Sequence, residues 1–453
     1  MQTPQKIAVV GSGLVGTLLA IYLKRAGHTV HVYDRSPDIR TIQFSGRSIN
    51  LVMSNRGWKA LEDVGLDAEI RKIGIPVDKR AIHLQDGKLN YQFYGKEGEA
   101  IFSLSRGVLN RKMVDLAEAE GVKFFFEHKI WDVNLATASL YEGESEQGDW
   151  TELKYDKVFG ADGAFSRIRH RMQRQSMFDY SQEFMQIGYK ELHIPANADG
   201  SHKIDKNSLH IWPRGNFMLM ALSNLDGSFT CTLFMPFKGE NSFESLKDEA
   251  ALVAFFAKYF PDTKEVIPDL VRDFFKNPTS YLAIMKCFPW TFEDKVALIG
   301  DSAHAIVPFY GQGMNASFED VVEFDKVLDQ NLNSWEANFS TYEKNRKKDT
   351  DAIADLAVDN FHEMKSHVGQ TIFQEKRKIE MALEKEFPND YSSKYSLVTF
   401  NEDIGYREAM LQGRAQDKAI LNMLSDEVIG VNGNLRDILN KVKSETTSIL
   451  EDN

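Results

Sequence analysis

The sequence predicts an α/β protein: a parallel-sheet domain interleaved with an antiparallel-sheet domain and followed by a helical C-terminal region. Three observations carry that prediction. A short apolar run, a glycine-rich turn and a helical stretch open the chain and lead into a second apolar run. Aromatic-rich, alternating stretches broken by turn signals fill the middle. From about residue 316 the sequence is charged and helix-compatible, with sparse Pro and Gly.

Residues 6–10 (KIAVV) read as a fully apolar strand. LVGTLLAIYLKRAG then reads as a helix with Gly27 as its C-terminal stop, and residues 29–34 (TVHVYD) as a second strand ending in Asp34. A strand, a helix and a strand in this order imply a parallel sheet. Residues 81–94 and 181–240 contain FMQIGYKELHI, SLHIW, FMLMALS and FTCTLFMPF. Turn signals at Pro213-Arg214-Gly215-Asn216 and Asp226-Gly227 separate several of them, which reads as an antiparallel sheet. Residues 296–301 (VALIGD) return to the buried-strand pattern.

Composition removes several classes. Hydrophobic residues at 43% and charged residues at 26% exclude a disordered or fibrous chain. A net charge of −12 argues against a broad nucleic-acid-binding surface. Two cysteines, Cys231 and Cys287, form neither a disulfide framework nor a four-thiolate zinc site, so the cytoplasm is the expected compartment. No segment approaches the ~20 apolar residues of a membrane helix. His362-Glu363-Met-Lys-Ser-His367 imitates a zinc-binding helix, but histidines five apart sit roughly 140° away from a shared helical face. No metal site is expected.

The chemistry is carried by three motifs. Gly11-Ser-Gly13-Leu-Val-Gly16 lies between strand and helix. Gly11 permits the tight turn, Gly13 lets a pyrophosphate approach the backbone, and Gly16 lets helix and strand pack closely. Asp34 stands 23 residues after Gly11, where it can accept bonds from a ribose hydroxyl. This Rossmann-like fingerprint permits NAD or FAD. The second motif is Gly160-Ala-Asp162-Gly163, continuing to Ser166-Arg167-Ile-Arg169. The third is Gly300-Asp301-Ser-Ala-His304, followed by Pro308-Phe-Tyr-Gly311-Gln-Gly313-Met314-Asn315. A carboxylate at a strand end can hold a ribityl hydroxyl. A glycine-rich turn opening a helix offers N–H groups to the pyrimidine end of an isoalloxazine.

In order and separation these motifs resemble the class A flavoprotein aromatic hydroxylases, over roughly residues 5–330. GRSINLVMSNRG (46–57), SLSRGVLNR (103–111), VPFYGQGMNASFEDV (307–321), NFHEM (360–364) and YSLVTF (395–400) resemble the kynurenine-hydroxylating branch of that family. The resemblance implies FAD in the single nucleotide fold and NADPH as a transient co-substrate. It implies oxygen transfer from a flavin C4a-hydroperoxide to L-kynurenine, giving 3-hydroxy-L-kynurenine within tryptophan degradation. It implies a discontinuous FAD-binding domain at 1–80, 97–180 and 285–330, a substrate-binding β-sheet domain at 81–96 and 181–284, and a helical region at 331–453.

Residue by residue, Leu14, Asp34, Arg35, Val52, Arg106, Trp131, Asp301, Met314 and Asn315 fall where the family binds FAD, beside Gly11, Gly13, Gly16, Asp162 and Gly313 of the motifs. Arg80 and Tyr94 fall where it binds the amino-acid carboxylate, and Asn360 and Tyr395 at the remaining polar substrate positions. Phe234, Phe309 and Met364 should lie near the substrate ring. Arg80 can pair bidentately with a carboxylate, and the tyrosines can donate to it. An apolar wall excludes water, which protects the reactive oxygen species. An aniline donates electron density while neutral, so no general acid or base is assigned. Without the resemblance, Arg80 in PVDKRAIH reads as a solvated arginine, Tyr94 and Tyr395 as core tyrosines, Phe234 as plain core and His304 as structural.

Two features depart from the family. Eukaryotic members carry a C-terminal membrane anchor and this sequence has none, so a soluble bacterial-type form is expected. Asp34 stands where Glu is more common, shortening the reach by one methylene. The oligomeric state is not legible. Two other functions compete: the same chemistry on another small aromatic acid, and a non-catalytic flavin-bearing interaction protein.

Overall fold

The computed structural model describes residues 3–42, 50–330, 334–364 and 371–451. The part of segment 46–57 before Asn50, residues 331–333 of the C-terminal region, and His367 lie outside the described residues. The chain divides into two compact units. The first comprises Met1–Ile73, Leu104–Phe184 and Ala283–Ala354. The second comprises Gly74–Ser103, Met185–Leu282 and Asp355–Asn453.

The first unit is built on a six-stranded sheet in the order Thr291–Phe292, Val296–Leu298, Lys157–Gly160, Lys6–Val10, Thr29–Tyr33, Lys123–Phe125. All neighbours are parallel except the first pair. Ile7, Ala8, Val9, Val158, Val296 and Leu298 are fully buried, as a sheet covered on both faces requires. The helix Leu14–Arg25 follows the first strand at once and buries Leu18, Leu19 and Ile21. A separate antiparallel sheet, Thr151–Lys154, Ser139–Glu142 and Ile130–Asn134, had no counterpart in the sequence reading.

The larger sheet, most of whose strands lie in the second unit, has the order Ser280–Phe288, Asp179–Ile194, Phe229–Pro236, Phe217–Ser223, Ser208–Arg214, Lys79–His83, Leu89–Phe93. One joint corrects the all-antiparallel expectation: Ser208–Arg214 and Lys79–His83 run parallel. These strands are far apart in sequence, so no turn signal could disclose their direction. Two helices, Glu249–Tyr259 and Leu270–Lys276, follow the stretch read as sheet. They cover one sheet face with a core of Trp212, Leu219, Leu233, Phe255, Phe260 and Phe274. Each such side chain contributes about 1.5–3 kcal/mol on burial.

Cross-strand register sorts the side chains. Trp212 pairs with Leu219 and Leu219 with Leu233, all on the helix-covered face. Arg80 pairs with Leu209, and Phe234 with Met218, so Arg80 and Phe234 share the opposite face. The helices Thr371–Glu386, Tyr406–Ser425 and Leu435–Glu451 form a further core. Ile379 and Leu383, Ala415 and Ala419, and Ile438 and Val442 recur at helical spacing within it. No helix among the described residues is long and apolar enough to cross a membrane.

Candidate active site

In the first unit, Gly11 takes φ +112°, and a Cβ there would meet the Ala161 carbonyl oxygen at 2.3 Å. A Cβ at Gly16 would meet the Gly11 carbonyl oxygen at 2.1 Å. A Cβ at Gly13 would meet nothing within 4 Å. Two glycines are thus required by the protein's own packing, while the third leaves an open approach. Gly13 also precedes the helix Leu14–Arg25 as an N-cap without a side-chain hydrogen bond. The first N–H groups of that helix suit an anion. Asp34 Oδ2 accepts from both the backbone N–H and the hydroxyl of Ser12 at 2.8 Å, and its Oδ1 accepts from Ser36 N–H at 2.8 Å. The shorter acid is therefore fixed beside the glycine turn. Arg35, next to it, is exposed.

The second and third motifs meet. Ser302 Oγ donates to Asp162 Oδ1 at 3.2 Å and accepts from Gly163 N–H at 2.9 Å. Asp162 Oδ2 also accepts from Arg167 N–H at 2.6 Å, the first N–H of the helix Arg167–Met172, whose N-cap is Ser166. Much of the Asp162 carboxylate is thereby used to build the turn. Asp301 sits in the adjoining short turn with its side chain exposed, and Arg106 is the cation acting on it. Trp131 is half-buried. Its indole N–H donates to the Gly143 carbonyl at 2.8 Å, and Arg167 lies 5.4 Å from its ring centre.

Asn315 closes the third turn. Its Nδ2 donates to the carbonyls of Val52 at 2.8 Å and Gly311 at 3.0 Å, and its Oδ1 accepts from Ser54 N–H at 2.9 Å. Its side chain is thus a clamp, which leaves the backbone N–H groups of Gly313, Met314 and Asn315 as the first of the helix Gly313–Asp329. Phe309 is buried in the turn Pro308–Tyr310.

Sequence reasoning missed a buried network beneath these turns. Arg346 bonds Glu319 at 2.6 Å and Asp320 at 2.8 Å, and Arg56 bonds Glu319 at 2.5 Å. Asp320 Oδ2 accepts from Gly300 N–H at 3.1 Å and bonds His304 Nε2 at 2.6 Å. Burial raises the cost of the Asp320 charge, but His304 and Arg346 outweigh it and hold its titration below the usual carboxylate range. His304 is accordingly structural.

In the second unit the structure brings Arg80, Tyr94 and Tyr395 together. The two tyrosine rings stack with centres 5.1 Å apart, and the Arg80 guanidinium carbon lies 4.6 Å from the Tyr395 ring centre and 5.3 Å from that of Tyr94. Arg80 Nε and Tyr94 Oη are buried without a well-directed hydrogen bond among the described residues. Burial above all, with Tyr395 beside it, pushes the Tyr94 hydroxyl above its ordinary value, so it remains a donor. A guanidinium and a phenol whose donors lack well-directed bonds match a carboxylate ligand. Asn360 is buried on the helix Trp335–His362 and donates to Met364 Sδ at 3.5 Å. Phe234 is buried, with its ring centre 6.1 Å from that of Tyr189.

Glu363, named in the sequence only within the rejected zinc-binding pattern, is a polar residue to which that reading gave no substrate role, although it stands inside NFHEM. It lies 3.4 Å from Lys394 and acts electrostatically on Arg80. Burial opposes its charge, yet Lys394 and Lys376 hold it below the usual carboxylate range. The site thus presents a cation and an anion. Among the described residues no group of three or more His, Cys, Asp or Glu is placed to hold a metal ion.

Residues 5–357 match the FAD binding domain family. A kynurenine 3-monooxygenase from Flavobacterium johnsoniae is 62% identical over 98% of this chain and 99% of its own. The chain belongs to the kynurenine 3-monooxygenase family. A kynurenine 3-monooxygenase from Dictyostelium discoideum is 43% identical over 92% of each chain. In fold, the chain is similar to a solved 2-methyl-3-hydroxypyridine-5-carboxylic acid oxygenase, with a TM-score of 0.67 at 18% identity over 83% of this chain and 97% of that one. The resemblance read from the motifs is thereby established, and FAD is the cofactor. The open approach at Gly13 and the uncapped helix start fit the pyrophosphate of FAD in a kynurenine 3-monooxygenase family member.

Proposed function

We propose that this chain hydroxylates L-kynurenine to 3-hydroxy-L-kynurenine with NADPH and O2. The observation that carries the reading is the Arg80–Tyr94–Tyr395 cluster with anionic Glu363 beside it. An α-amino acid offers the complementary pair of charges. Arg80 takes the α-carboxylate, with Tyr94, Tyr395 and Asn360 donating to it, and Glu363 takes the α-ammonium. Phe234 and Met364 line the aromatic end and exclude water.

FAD is held by Gly11, Gly13, Leu14, Gly16, Asp34 and Arg35 at its nucleotide end. Val52, Arg106, Trp131, Asp162, Asp301, Gly313, Met314 and Asn315 hold it elsewhere. Asp301 and Arg106 would suit the ribityl or phosphate oxygens of FAD, and the first N–H groups of the helix Gly313–Asp329 would offer donors to its isoalloxazine. Bound FAD supplies the redox step, in which two electrons from NADPH divide one O2 between the ring hydroxyl and a water molecule. The neutral aniline activates its own ortho carbon, so no side chain is required to remove a proton from the substrate beforehand. The second unit is the substrate domain and the first the FAD domain. A cytoplasmic site of action accords with the two buried free thiols.

The test is NADPH oxidation by the FAD-loaded protein with and without L-kynurenine, with product mass recorded. Stimulated oxidation and a product heavier by one oxygen atom are expected. Stimulation without that product would make kynurenine an uncoupling effector and overturn the substrate assignment. No stimulation would overturn it too.

A further inference from the structure

On the helix-covered face of the larger sheet, behind the strand that carries Arg80, lies a chain of hydrogen bonds unused by the proposed reaction. Asp262 Oδ2 stands 2.7 Å from His83 Nδ1, His83 Nε2 stands 2.9 Å from His210 Nδ1, and His210 Nε2 stands 2.8 Å from the Asp205 carbonyl oxygen. Both imidazoles are buried, and the His83 ring stacks on Trp212 at 3.9 Å.

The protons in this chain can be counted. Both ends are acceptors: a carboxylate, held against burial below its ordinary range by the bonds from His83 and from Trp212 Nε1 at 2.8 Å, and a carbonyl. Three hydrogen bonds therefore need three protons, all on imidazole nitrogens. Two neutral imidazoles carry only two. One ring must be an imidazolium, and its charge balances that of Asp262. Burial pushes His210 down to about 4, which leaves His210 neutral with its proton on Nε2, toward Asp205. The extra proton then belongs to His83.

We propose that His83 is a cationic positioning residue that pins the Arg80 strand to the strand Ser208–Arg214. The pinning falls at the far end of the parallel joint, where Arg214 Nη1 also donates to the His83 carbonyl at 2.9 Å. At the near end, Asn207 Nδ2 donates to the Pro76 carbonyl at 2.7 Å and Lys79 bonds Asp205 at 3.2 Å. Arg80 lies between the two anchors, facing the other way. Asp262 and Arg214 are the charged groups bonded to His83, and Asp205 acts on His210 beside it.

This inference rests on the substrate role of Arg80 for its consequence, but not for its protonation state. The experiment is side-chain nitrogen NMR of the 15N-labelled, FAD-loaded protein at neutral pH, with His83→Gln identifying the resonance. Two protonated nitrogens on His83 are expected, and conversion to a neutral ring in Asp262→Asn. A neutral His83 in the unaltered protein would overturn the proposal. Kinetically, His83→Gln is expected to raise the kynurenine KM roughly five- to tenfold with kcat changed less than about twofold. Asp262→Asn, which keeps the side-chain shape, is expected to do the same. A protonated His83 with unchanged KM in both variants would overturn the positioning role. An unchanged KM in Arg80→Met would instead overturn the substrate reading and leave the NMR result standing.

Discussion

Asp320 accepts the Gly300 backbone N–H at 3.1 Å, so a side chain on one helix fixes the backbone of the turn that presents Asp301. Asp320 is held in turn by Arg346 at 2.8 Å, with both side chains buried. Removing one partner of a buried pair leaves a lone charge, which costs about 3–5 kcal/mol. Arg346→Met is expected to lower the unfolding free energy by about that amount, read by urea denaturation of the FAD-free protein. Arg346→Lys keeps the charge but loses the fork that spans Glu319 and Asp320. It should fall between the two.

The glycine turn separates folding from binding. Gly13→Ala adds a methyl that meets no protein atom within 4 Å, whereas Gly16→Ala drives one to 2.1 Å from the Gly11 carbonyl oxygen. Gly13→Ala should keep the melting temperature of the FAD-free protein and weaken FAD binding at least roughly tenfold, as fluorescence titration reads it. Gly16→Ala should lower both. Equal FAD affinity in Gly13→Ala and the unaltered protein would remove Gly13 from the cradle.

Local constraints were legible in the sequence; distant partnerships were not. Gly11 and Gly16 announce themselves because no other residue fits a turn packed on backbone atoms. Arg80 and Tyr395 meet across more than three hundred positions, and only the family resemblance linked them. Arg346 looks like one more charge on a solvated helix until Glu319 and Asp320 are seen buried against it. The parallel joint between Lys79–His83 and Ser208–Arg214 leaves no mark in either strand, because direction belongs to the pair. The helix Glu249–Tyr259 lies beyond the stretches given an element, and its apolar run, LVAFF, is compatible with helix and buried strand alike.

Asp325 carries a pH dependence of defined sign. Burial first, then Asp329 and Asp63, raise its carboxyl to about 6 from an ordinary 3.8. The folded state therefore holds a proton that the unfolded state releases, and stability falls as pH rises from about 4 through about 6. The full shift corresponds to about 3 kcal/mol. Solvent at this half-buried site reduces the expected effect to about 1–2 kcal/mol. Asp325→Asn should stabilise the protein by that amount at neutral pH and leave it unchanged below about pH 4, on comparison of denaturation curves. Equal stability of the two proteins at neutral pH would contradict the assignment.

Arg80 and Tyr94 differ in what each can lose. Arg80→Met removes a charge-assisted contact of about 1.5–3 kcal/mol, equivalent to roughly 10- to 100-fold in kynurenine KM. FAD content should be unchanged, because every residue of the cradle lies in the other compact unit. Tyr94→Phe keeps the ring that stacks on Tyr395 and deletes a hydroxyl with no well-directed partner in the unliganded protein. The folded protein keeps that ring packing and loses no well-directed hydrogen bond, so its melting temperature should change little. The substrate carboxylate loses one donor, so KM should rise roughly three- to tenfold with kcat little altered. A Tyr94→Phe variant with unaltered KM would place that hydroxyl outside the carboxylate site, and the Arg80 result would then stand alone.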